Sequence, residues 1–157
     1  MIATYTPDDV KNVARALTGW SYTKLGDASI PDWARRDYSK PMLMVANRFD
    51  PTAKTFLGVT VPATATQQQN VDAVVDAVFN HPNTAPFISK RLIQQLVLAN
   101  PSPAYVGRVS AVFANNGAGV RGDMKAVIRA ILTDTEARKA APTPGKVKEP
   151  VLFMTSI

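Results

Sequence analysis

Cysteine is absent from this chain of 157 residues, and histidine occurs once, at position 81. Without thiols there are no disulfides, no cysteine nucleophile and no thiolate metal site, and a single histidine removes most routes to zinc chemistry. Long apolar runs are missing as well. None approaches the roughly 20 residues that a membrane-spanning helix needs. The first twenty residues carry Asp8, Asp9 and Lys11 where a secretory leader would be apolar, so no leader is read there.

What is present describes a folded chain. An apolar fraction of 46% and a charged fraction of 19% are ordinary for a globular protein. The length suits one core, so residues 1–157 are read as a single helical domain. The net charge of +6 is unevenly placed. Residues 1–83 hold eight Lys/Arg against eight Asp/Glu, and residues 84–157 hold ten against four. All the excess therefore sits in the second half, where it either solvates a face or attracts an anion such as a glycan, a lipid headgroup or a nucleic acid.

Thr6-Pro7-Asp8-Asp9 reads as a helix start, with Thr6 as N-cap, Pro7 in the first turn and two carboxylates at the positive end of the dipole. Val10, Val13, Ala14 and Leu17 then share a face, and Gly19 stops the helix. Residues 21–41 lose all period between Gly26, Pro31 and Pro41 and are read as a loop. Two β-like runs, 42–48 and 54–61, flank Asp50-Pro51-Thr52-Ala53 and predict a small hairpin within 42–61. From 66 to 140 four apolar stripes follow: Val71/Val74/Val75/Val78, Phe87/Ile88/Leu92/Leu96, Tyr105/Val106/Val109/Val112/Phe113 and Met124/Val127/Ile128/Ile131/Leu132. Short connections between them predict an antiparallel helical bundle. The fold class is thus mainly α with a hairpin insertion. A last apolar segment, 147–157, begins like a helix and stops after about two turns, which suits self-association.

Each chemical motif has a plain structural reading beside it. Gly117 to Gly122 matches G-x-G-x-x-G but follows a helix rather than a strand, so it is read as a link between helices and not as a nucleotide cradle. His81 precedes Pro82 at a helix mouth and is read as a capping or packing residue. Asp72 and Asp76 stand one turn apart on what is read as a wet face. Trp33, Arg35, Arg36, Tyr38 and Lys40 interleave rings and cations, a mixture that stacks bases or sugars, although Asp32 and Asp37 dilute it. Nucleic acid is disfavoured as the partner on that account. No cofactor and no metal site is expected.

The order of the motifs resembles the bacterial "domain of unknown function 1800" family. The resemblance is carried by Tyr5 to Val10, Ala14 to Trp20, Asp50 with Lys54 to Gly58, His81 to Ala85, Phe87-Ile88 with Arg91-Leu92, Asp123 to Leu132, and Lys146 to Pro150. It spans nearly the whole chain. Family members are proteins of several hundred residues, commonly with a secretion signal. The resemblance therefore implies a fragment of a larger bacterial protein, periplasmic or secreted. Many relatives place a histidine before the hairpin aspartate, where this chain has Phe49, which counts against metal or acid/base chemistry there. The family carries no activity over.

Two functions follow as expectations. One is a non-catalytic binding module whose partner is a protein or an anionic polymer, held weakly by Arg121, Lys125 and Arg129. The alternative is part of a hydrolase-like enzyme completed by residues elsewhere, with a cleft formed by Arg15, Trp20, Asp50, Lys54, His81 and Arg91. Trp20 is also expected to pack back over Val13 and Leu17.

Overall fold

The structure, a computed structural model, describes residues 4–24, 36–139 and 154. The chain is mainly helical with small antiparallel strand pairs. Its packing falls into two compact units, Met1–Asn80 and His81–Ile157, within the span read as one domain. The segment 147–157, apart from Met154, lies outside the described residues, as do Trp33 and Arg35.

In the first unit, helix α1 (Pro7–Ala16) starts as its sequence dictates. Thr6 Oγ1 accepts the amide of Asp9 at 3.1 Å, and the Asp9 carboxylate accepts the Thr6 amide at 2.7 Å, closing a reciprocal capping box. The helix ends at Leu17, and Gly19, with φ of +83°, turns the chain into β1 (Trp20–Ser21). The buried face of α1 is centred on Ala16 and Val13, whereas Val10 and Leu17 are exposed.

The region read as a loop holds a two-part antiparallel ribbon. Strand β1 pairs with β4 (Leu43–Met44), and β2 (Thr23–Lys24) pairs with β3 (Arg36–Asp37). A short 3-10 turn follows at Ala46–Arg48. The expected hairpin lies within 42–61, but it is narrower than its sequence suggests: β5 (Lys54–Phe56) pairs with β6 (Val59–Val61). It closes on Leu57-Gly58 rather than on residues 50–53, with φ of +48° and +78° at the two turn residues. Two positive φ values match the right-handed twist of a two-residue hairpin. Leucine pays for that conformation, and Asp9 holds it by accepting the Leu57 amide at 2.7 Å.

Helix α2 (Gln67–Asn80) packs on α1 and β6. Its valine stripe is not its buried face. Val74 is buried, but Val75 and Val78 face solvent, and the inward row is Gln67, Asn70 and Val74 with Ala73 and Ala77.

The second unit is built on α3 (Thr84–Leu96), α4 (Pro103–Ala114), α5 (Met124–Thr133) and a single turn, α6 (Thr135–Arg138). Helix α4 packs against both α3 and α5. Its predicted stripe is right: Tyr105, Val109 and Phe113 are buried with Ile93, Val127 and Ile131. On α3 the buried line is Ala85, Ser89 and Ile93, while Phe87 and Leu96 remain exposed.

Candidate functional site

Of the six residues read as a possible cleft, Arg15, Trp20, Asp50 and Lys54 lie in the first unit, and His81 and Arg91 in the second. Within the first unit, three of them converge. Arg15, in the last turn of α1, places Nε 2.8 Å from Asp50 Oδ2. Its Nη1 donates to Asn12 Oδ1 at 2.8 Å, and its Nη2 donates to Thr52 Oγ1. The opposite carboxylate oxygen, Oδ1, accepts the Thr52 amide at 2.9 Å and the Thr52 hydroxyl at 2.5 Å, an Asx turn across Pro51. The Asp50 amide donates to Thr18 Oγ1 at 2.9 Å, and that hydroxyl donates to the Arg15 carbonyl at 2.7 Å.

The Lys54 ammonium is buried against this loop, with 1% of its side chain exposed. It donates to the Asp50 and Thr52 carbonyl oxygens at 2.6 and 2.7 Å and lies 5.2 Å from the centre of the Phe49 ring. Burial lowers its pKa, the Asp50 charge opposes that shift, and the Arg15 charge adds to it. The Arg15 guanidinium and the Thr52 donors hold the Asp50 carboxyl well below the usual carboxylate range.

The arrangement is a closed one. Both carboxylate oxygens of Asp50 accept from the protein itself, and the amine of Lys54 is out of solvent. A general base needs a lone pair aimed at a substrate, and a nucleophilic lysine needs an accessible neutral amine. Trp20, opposite Met44 in the ribbon, is half-buried with its indole nitrogen fully covered.

In the second unit His81 acts as its position before Pro82 suggests. Its Nδ1 accepts the Asn83 amide at 3.1 Å, and its carbonyl accepts from Thr84 N at 3.0 Å and Arg121 Nη2 at 3.3 Å. Arg91 lies 5.6 Å above the Phe87 ring. Arg121 sits in the loop before α5 and off the row of Lys125 and Arg129, with its guanidinium 5.4 Å from the Phe113 ring. Lys125 and Arg129 are exposed one turn apart on α5.

The glycine-rich loop is already filled. Asn115 Oδ1 accepts the amides of Gly117 and Gly119 at 2.8 and 2.9 Å, and Asn116 Oδ1 accepts those of Ala118 and Val120 at 2.9 and 3.2 Å. The Gly122 amide donates to the Phe113 carbonyl at 2.8 Å. The amides that would cradle a phosphate are thus spent on side-chain and backbone oxygens.

Residues not read as site candidates do much of the binding together. Asp9 joins the α1 cap to the hairpin turn, and Asn12 Nδ2 reaches the Thr55 carbonyl at 2.8 Å. In the second unit Glu136 accepts the Ser102 amide and hydroxyl at 2.9 and 2.6 Å. Asp134 takes a two-pronged pair from Arg108 at 2.8 Å on each oxygen. The Thr6 to Asp9 cap, the Asp50-Pro51-Thr52 turn and the Ser102 cap carried a local signal, and the long-range links did not.

Among the described residues no group of three His, Cys, Asp or Glu is placed to hold a metal, and no helix is long and apolar enough to cross a membrane. No curated protein and no solved structure matches the chain. One family model does, described as a protein of unknown function (DUF1800), over residues 2–157. With its whole length but the first residue covered, this chain belongs to the DUF1800 family.

Proposed function

We propose that this chain is a non-catalytic helical binding module of an exported bacterial protein, with a weak anion-binding surface on α5. The observation that carries the reading is the closure of the motif cluster: Asp50 accepts from Arg15 and Thr52 on its two oxygens, and Lys54 is buried on two carbonyls. A cluster paired in this way positions a loop, and chemistry would require its ion pair to open. The charge excess of the second half supports the binding face. Lys125 and Arg129 stand exposed on α5, with Arg121 adding its charge from the preceding loop. The partner is a protein or polymer with an acidic surface.

Chromatography on immobilised heparin tests the reading. Replacing Lys125 and Arg129 by Gln should lower the salt needed for elution, because each exposed cation adds to a screened, counterion-releasing attraction. Unchanged elution would remove α5 as the anion surface.

A further inference from the structure

The ribbon of the first unit carries a feature that the motif cluster does not use. Tyr22 and Tyr38 meet with ring centroids 5.1 Å apart at an interplanar angle of 65°, and the Arg36 guanidinium lies 5.2 Å from the Tyr22 centroid. Arg36 ends its side chain on the Tyr22 ring from β3, and Tyr38 reaches the same ring from the turn that follows β3. Tyr38 is 72% exposed and Tyr22 40%, although aromatic side chains are usually withdrawn from water. Asp37 behaves oppositely. It is 8% exposed, and its Oδ1 accepts the Ser39 amide at 3.0 Å and hydroxyl at 2.6 Å. Its other oxygen is 3.4 Å from Lys40 Nζ. Asp37 and Lys40 thus offset each other, and Arg36 places its charge beside the Tyr22 ring.

We propose that Tyr22, Arg36 and Tyr38 form a binding surface for an acidic polysaccharide, one carrying a carboxylate on its sugar ring. The exposed face of Tyr38 suits the apolar C–H face of a pyranose, and the phenol hydroxyls can exchange hydrogen bonds with sugar hydroxyls. The Arg36 fork matches a single carboxylate in two-point geometry. Charge complementarity sets the sign of the ligand, and the placing of the rings sets its class. The rings are tilted steeply to each other, so they do not form the parallel platforms on which successive bases stack.

This surface is separate from α5, and the experiment distinguishes the two. Binding of a galacturonate trimer to the full chain would be measured by calorimetry beside its methyl ester, which keeps the shape and loses the charge. The acid should bind, and the ester should bind about tenfold more weakly, the scale of one lost ion-paired contact. Tyr38→Ala should abolish binding of both sugars, and Arg36→Gln should remove the preference for the acid. Tyr38 is so exposed that its replacement leaves the fold intact, and the change of Lys125 and Arg129 to Gln should leave the trimer's affinity unaltered. Equal affinity of Tyr38→Ala and the parent chain would overturn the proposal. So would tighter binding of a thymidine oligonucleotide than of the trimer, or no binding of either sugar.

Discussion

Arg15 and Asp50, 35 positions apart in the chain, meet through a 2.8 Å charge-assisted hydrogen bond that joins the end of α1 to the loop before β5. Because Asp50 also turns back on Thr52, one carboxylate sets both the loop's own shape and its place on the helix.

Acid should therefore loosen the first unit. The folded Asp50 carboxyl titrates below its ordinary value of 3.8, so the stability it contributes is present above that pH and is lost as pH falls toward the depressed value. Asp50→Asn should lower the urea midpoint at neutral pH and flatten the acid limb of a stability-versus-pH curve. Arg15→Gln in the Asp50→Asn background should cost much less than in the parent, since the two share one interaction. Additive losses would show that the pair is not coupled.

Gly19→Ala should destabilise the first unit by about 2 kcal/mol, combining left-handed strain with overlap. An added Cβ would lie 2.6 Å from Gln67 Nε2 and 2.9 Å from Phe49 Cβ. The amide end of Gln67 can move, but it would then release the Thr18 carbonyl that it donates to at 3.2 Å. The Phe49 Cβ cannot swing away without its backbone. Equilibrium urea unfolding followed by tryptophan fluorescence reads the loss, and an unchanged midpoint would mean that the Gly19 corner relaxes freely.

Alkali should act on the second unit. Tyr105 is fully buried, its hydroxyl donates to the Ile131 carbonyl at 2.6 Å, and burial together with the Asp134 and Glu136 charges pushes its pKa up to about 12. The unfolded phenol ionises near its ordinary value of 10.0. The folded state then holds the extra proton between these values, so stability is intact below pH 10 and falls as pH rises through the folded pKa. The loss should reach roughly 2–3 kcal/mol. Tyr105→Phe should be less stable at neutral pH, where it lacks the hydrogen bond, and should lack this alkaline slope. A parallel slope in both proteins would assign it to other groups.

Local signals were legible where the residues that decide a conformation are neighbours. Thr6 to Asp9 announced α1 because a capping box closes within four residues, and Tyr105, Val109 and Phe113 announced α4 because its inward residues are the apolar ones. Helix α2 was misread for the opposite reason. Its inward face includes Gln67 and Asn70, whose amides find the Thr18 and Thr66 carbonyls, so residue type and burial part company there. Nor does a Leu-Gly pair advertise a hairpin turn. The amide of Leu57 is held by Asp9, 48 residues earlier, a relation that no window of sequence contains. The motif cluster was legible as a set of residues through family resemblance alone, while its closed geometry depends on Asn12, Thr18 and Thr52, which carry no chemistry by themselves.

The filled glycine-rich loop has a consequence for how the two units assemble from the unfolded chain. The side-chain oxygens of Asn115 and Asn116 reach across two to four residues, and the Asn116 side-chain amide reaches Asp123 across seven, so the turn from α4 to α5 closes with little loss of chain entropy. The Arg15 to Asp50 and Asp9 to Leu57 links must instead draw together segments 35 and 48 residues apart before either gives anything back. Low contact order favours speed, so the asparagines make the second unit's corner an early event, and the clamp in the first unit marks the completion of its fold.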